Sequence, residues 1–250
     1  MDIFKPAIIF FVALLAGAFG SLIGGSSIVT IPALILLGLP PHVAIGTDRF
    51  GIIGVGVAGW FEFHRKRLIN YRIGLVLAVP ILFGTLIGSN LVLQIREDIL
   101  KTVIVITNII IMGFILLNPE VGVKKRTTEI KNKEYVVGIF LSFLVGVYGG
   151  FYGAISGTLA VYILVIWFQQ TFIQSAATQK IGSLFMSVTA SIVFTINDAV
   201  DFYLGTAMLI GCLIGSYLGA HNAERIGNVW IKRSFVIFMV FVIAKLILNT

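Results

Sequence analysis

Apolar runs of helical length, separated by short polar gaps, occupy almost the whole chain. They predict helical segments at roughly 6–23, 28–41, 43–61, 72–93 and 99–117. A polar stretch follows from Asn118 to Glu134, opened by an Asn-Pro turn signal, and five more segments come at roughly 135–152, 154–168, 173–195, 202–221 and 230–248. The second and seventh are shorter than the ~20 residues a full bilayer crossing needs. This pattern predicts an all-α polytopic membrane protein: a first membrane repeat at 1–117, a linker at 118–134 and a second membrane repeat at 135–250.

Composition removes the soluble alternatives. Hydrophobic residues make up 58% and charged residues 12%, against about 25% charged in an ordinary soluble domain. The net charge of +7 comes from Lys and Arg placed mostly in the gaps between apolar runs, which argues for a lipid bilayer and against nucleic acid as the partner. A single cysteine, Cys212, lies inside an apolar run. His42, His64 and His221 are far apart, and His64 and His221 are placed in loops, so neither a disulfide framework nor a Cys or His metal site is expected. No cofactor is implied. An enzyme would need clustered His or an acid–His–nucleophile set in one cleft, and the chain offers neither.

The opening run could pass for a signal peptide, with Lys5 before it and Ala16-Gly17-Ala18 resembling a cleavage site. The same pattern recurs in mid-chain, where a signal peptide is impossible. Gly17, Gly20, Gly24 and Ser27 reappear as Gly146, Gly149, Gly153 and Ser156. Thr47-Asp48-Arg49 and Gly51 reappear as Thr178-Gln179-Lys180 and Gly182, and Gly84 to Ser89 as Gly211 to Ser216. Several matches in one order predict a duplication. Most cations lie in the stretches 62–72, 118–134 and 222–233, which the positive-inside rule assigns to the cytoplasm. The loop after the third segment is basic, whereas its counterpart, Asn197 to Asp201, has no cation. Equivalent loops are thus expected on opposite faces, as in an inverted-topology repeat of about five segments per half. Location in the inner (plasma) membrane, with both termini outside, follows.

Two cations fall outside the gaps. Arg49 and Lys180 are expected ~10–15 Å below the membrane surface, where a charge costs ~2.5–3.5 kcal/mol at a helix centre. The alternative is that Arg49 snorkels to the interface or pairs structurally with Asp48 or another acid, although adjacent helix positions do not face each other and an Arg49–Asp48 contact would be strained. Each half also has a break, at Gly24-Gly25-Ser26-Ser27 and from Gly149-Gly150 through Gly153 to Ser156-Gly157. A helix starting after such a break presents unpaired N–H groups and a positive dipole end. Two broken or re-entrant hairpins are expected to meet near the midplane. Their helix N-termini and the hydroxyls of Ser26, Ser27, Ser156 and Thr158, with Thr47 and Thr178, would surround a small anion neutralised by Arg49 and Lys180. Asp48, with Gln179 at the matching position, is the candidate for coupling.

These residues carry a resemblance. The run Gly17 to Gly25, the Leu39-Pro40-Pro41 turn, Ala44 to Arg49, Ala176 to Lys180 and the paired Gly84–Ser89 and Gly211–Ser216 motifs together resemble the sulfite exporter TauE/SafE family. Asp48 departs from the Asn or Ser expected there. The resemblance implies export of sulfite, sulfoacetate or a related organosulfonate by alternating access. Uptake of thiosulfate, sulfate or a carboxylate is the alternative, with an anion channel or a membrane enzyme ranked below it. The sequence carries no signal for an oligomeric state.

The remaining polar and small residues are read as structural. Gly84/Gly88 and Gly211/Gly215 are expected to pack helices closely. Trp60, Trp167 and Trp230 are expected as interfacial anchors, His42 beside the Pro-Pro turn, and Asn90, Asn108 and Asn197 as bonds between helices.

Overall fold

Many polar residues are buried and many large apolar ones face outward. Ser21, Thr47, Asp48, Arg49, Thr85, Ser89, Thr178 and Ser216 are fully buried, while Phe4, Phe11, Phe83, Phe140, Ile166 and Ile196 are exposed. Lipid around the chain accounts for this inversion, because an apolar exterior has no cost there and polar groups must find partners inside. The computed structural model describes residues 4–22, 24–100, 102, 106 and 132–222. The segments expected at 99–117 and 230–248, the 118–134 linker, Asn108 and Trp230 lie largely or wholly outside them.

Among the described residues no strand occurs. The helices are α1 (Phe4–Leu22), α2 (Ser27–Leu36), α3 (Pro41–Gly51), α4 (Ile53–Arg65), α5 (Tyr71–Leu93), α6 (Asn132–Phe151), α7 (Ser156–Trp167), α8 (Phe172–Ile196) and α9 (Phe202–His221). Five of them are long and apolar enough to cross a membrane: α1, α5, α6, α8 and α9. The chain is a multi-pass membrane protein. The short α2 and α7 have 10 and 12 residues.

Helix ends follow local chemistry. Pro41 opens α3, where its missing N–H costs nothing. Side chains of Asn70 and Asp201 cap α5 and α9 by accepting from the N–H groups of Ile73 and Leu204. The segment expected at 28–41 stops at Leu36, because Gly38 takes φ +99° and Pro40-Pro41 restarts the chain. The next segment, expected at 43–61, runs from Pro41 to Arg65 with Ile52 between α3 and α4. Ile52 N–H still bonds the Asp48 carbonyl, so the two pieces continue one another. The basic 62–72 stretch is therefore helical at its two ends, 62–65 and 71–72. His64 and His221, expected in loops, belong to the last turns of α4 and α9.

The close helix pairs join one half to the other. Gly211, Gly215 and Gly219 of α9 lie on the backbone of Phe10, Leu14 and Ala18 in α1, and the two helices run parallel. Gly146 and Gly150 of α6 lie in the same way on Ile81 and Thr85 of α5. Small residues let the backbones approach, as expected for Gly84/Gly88 and Gly211/Gly215. The α3–α4 stretch and α8 run antiparallel, with Gly46 against Phe194, Gly56 against Leu184 and Gly59 against Lys180. One apolar cluster joins α1, α2, α3, α8 and α9 around Ile28, Ile45, Phe194 and Met208. A second joins α5 to α8 around Leu77, Ile81, Val145, Leu164 and Met186.

Candidate anion site

The breaks before α2 and α7 touch, Gly24 lying against Gly157 and Thr158. Gly24 and Gly25 have φ of +79° and +84°, and Gly153 has +71°. A Cβ on Gly24 would meet the Gly157 carbonyl carbon at 2.7 Å and the Thr158 nitrogen at 2.6 Å. One on Gly153 would meet Arg49 Nη1 at 2.5 Å. Glycine is needed at both places for backbone conformation and for space. The first turns of two helices consequently converge; in α2 the N–H groups of Ile28, Val29 and Thr30 donate to the carbonyls of Gly25 and Ser26, and in α7 that of Ser156 donates to Gly153.

A cavity of about 40 Å³ opens between them, with room for about three water-sized groups. Gly24, Gly25, Ser26 and Ser27 line it from the first half, and Gly153, Ser156 and Gly157 from the second. α8 contributes Gln179, Lys180, Ser183, Met186 and Ser187. Ile52, Val55 and Gly56 face it from α3–α4. Lys180 is the one ionisable lining residue, 1% exposed, with Nζ donating to the Gly20 carbonyl at 3.0 Å. Among the described residues it makes no ion pair.

Arg49 is buried beside the cavity and already engaged. Its Nη2 donates to Asp48 Oδ2 (2.7 Å), Ser27 Oγ (2.9 Å) and the Tyr152 carbonyl (3.1 Å), and Nη1 to the Gly149 carbonyl (3.4 Å). Asp48 in turn accepts from Ser27 Oγ at 2.8 Å and from Thr30 Oγ1. The Arg49–Asp48 pair, expected to be strained, is thus formed. Both side chains curl toward the first turn of α2, where Ser27 bridges them, and this tertiary anchor overrides the helix geometry that separates adjacent residues.

The structure brings together Ser26, Ser27, Ser156, Gly24, Gly25, Gly153, Gly157, Gln179 and Lys180 on the cavity, with Asp48 and Arg49 behind Ser27. Thr47 and Thr178 do not line it. Thr47 Oγ1 accepts from the backbone N–H of Asp201 at 2.9 Å, and Thr178 Oγ1 from that of Asn70 at 3.1 Å, so each hydroxyl holds the first residue before a helix of the other half. Asn90 and Asn197 also depart from expectation, since each donates to the carbonyl four residues back in its own helix. Sequence reasoning missed Thr30, Ser183 and Ser187. The spacing 180, 183, 187 puts a cation and two hydroxyls on one face of an apolar helix, which was a readable signal. His42 Nε2 lies 3.0 Å from the Val92 carbonyl, and Trp60 stacks on His64. No cluster of three or more metal-ligating residues occurs among the described residues.

Buried cations, converging helix N-termini and a polar centre inside an apolar shell suit a membrane transporter. The family model described as "Sulfite exporter TauE/SafE" matches residues 9–246, and the chain belongs to that family. It is 26% identical to a probable membrane transporter protein of Haemophilus influenzae, over 96% of this chain and 94% of the relative. It is 25% identical to the probable membrane transporter protein YfcA of Escherichia coli K12, over 97% and 90%. It is 24% identical to the probable membrane transporter protein YdhB of Bacillus subtilis, over 96% and 97%. No solved structure matches.

Proposed function

We propose that this transporter exports a small sulfur oxyanion, such as sulfite, sulfoacetate or a related organosulfonate, across the inner membrane by alternating access. One observation carries the reading: a small buried cavity where two helix N-termini meet and where Lys180 is the lone lining charge. Such a cavity favours negative over neutral or cationic cargo. The sulfur chemistry and outward direction rest on the family.

We further propose that the halves are inverted repeats that rock or slide against each other around this cavity. The antiparallel course of α3–α4 and α8 supports this, as do paired contacts. Arg49 donates to Gly149 while Lys180 donates to Gly20, and Thr47 bonds Asp201 while Thr178 bonds Asn70. In this reading the basic 62–72, 118–134 and 222–233 stretches face the cytoplasm. Lys66 Nζ bonding the Ala220 and His221 carbonyls supports placing the first and last at one end. Arg49 and Asp48 form the joint between the hairpins. Lys180 takes the anion.

Flux into proteoliposomes tests the reading, with sulfite, sulfoacetate, sulfate, thiosulfate and acetate compared in both directions. Saturable sulfite or sulfonate flux that Lys180→Met abolishes is the expected result. Ohmic current without saturation, or equal flux of every anion in the variant, would overturn it.

A further inference from the structure

The two halves place different groups at one matched position, and the difference bears on how many anions the protein holds. In the first half the Asp48 carboxylate lies on the opening turn of α2, accepting from Ser27 and Thr30 and paired with Arg49. That carboxylate occupies the place where a helix N-terminus and a cation together would bind an anion. In the second half the matching residues are Gln179 and Lys180. The Gln179 carboxamide lies against Gly157 in the opening turn of α7, and a Cβ there would come within 3.8 Å of Oε1. Gln179 Oε1 accepts from Ser183 at 2.5 Å. Among the described residues its Nε2 and the Ser187 hydroxyl have no hydrogen-bond partner, although the two residues are only 4% and 2% exposed and both line the cavity. Both groups face the cavity with donor capacity to spare.

We infer that the protein has a single anion site, off the pseudo-twofold axis against α8, where Lys180, Gln179 and Ser187 donate to a small oxyanion. Asp48 is the built-in counterpart that fills the equivalent place on α2. The facing positions reinforce the asymmetry: where α8 offers Ser183 and Ser187, α3–α4 offers Ile52 and Gly56. The oxyanion head therefore points to α8. This rests on the anion-transport reading above and adds the stoichiometry and the residues that set it.

The test is calorimetric titration of purified protein in lipid nanodiscs with sodium sulfite, with sulfoacetate, sulfate and acetate as further arms. One ion per chain is expected for the unmodified protein. Gln179→Glu puts a carboxylate where Asp48 has one and should weaken binding about a hundredfold. Ser187→Ala removes one donor with little disturbance and should weaken it about tenfold. If Gln179→Glu does not elute as a folded species, Ser187→Ala decides. Two ions per chain in the unmodified protein, or unchanged affinity in either folded variant, overturns the single off-axis site and leaves anion transport standing. Binding of none of the four anions by the unmodified protein overturns the transport reading itself, and this inference with it.

Discussion

Arg49 and Lys180 hold matching places in two antiparallel stretches, yet their surroundings differ. Arg49 has a carboxylate, a hydroxyl and two carbonyls around it, and it ties α3 to the start of α2 and to the end of α6. Lys180 has one carbonyl and a cavity. A buried pair can hold two elements in register, whereas an unpaired buried cation is retained at a cost in stability that a visiting anion can relieve. On the proposed reading, a duplicated framework keeps one cation for architecture and one for cargo.

The strongest way to break this division is to remove Arg49. Arg49→Met leaves the Asp48 carboxylate buried without a cation and should destabilise the protein by about 3–5 kcal/mol. Denaturant unfolding in detergent measures this. Asp48→Asn combined with Arg49→Met should restore part of the loss, because the pair goes together. Lys180→Met should instead lower anion affinity by about a hundredfold, or about 2.7 kcal/mol, and leave the unfolding midpoint unchanged or raised. Equal destabilisation by the two single variants would erase the contrast.

The helix seams should behave alike in both halves. Gly88→Ala and Gly215→Ala each drive a methyl into a facing backbone carbonyl, of Val147 and Leu14 respectively. Each should cost about 1–3 kcal/mol in thermal unfolding. The smallest effect is expected at the hydroxyls exchanged between halves. Thr47→Val and Thr178→Val should each cost about 1 kcal/mol, from the lost bond to Asp201 or Asn70, with unchanged anion affinity. A selective loss of affinity in one of them would bring that threonine back to the site.

Much of the site was legible because membrane-embedded charge and clustered glycine are rare enough to stand out. The breaks at 24–27 and 153–157, and the burial of Arg49 and Lys180, could be read from order and composition. Asp48's partner could not. Helical periodicity sets residues 48 and 49 apart, and the groups that override it, Ser27 and Thr30 of α2, are 18 to 22 residues away. Thr47 and Thr178 misled for a related reason. A hydroxyl next to a buried cation suggests a ligand, but each lies on another side of its helix, against a cap more than 100 residues distant.

The amino-acid sequence by itself determined which stretches are apolar helices, where two of them are interrupted and which two cations lie within them, since hydropathy, glycine content and charge act locally. Only the tertiary structure decided which cation is neutralised and which faces a cavity. That outcome depends on a carboxylate, hydroxyls and carbonyls that the chain brings together from both halves, and no local pattern encodes such meetings.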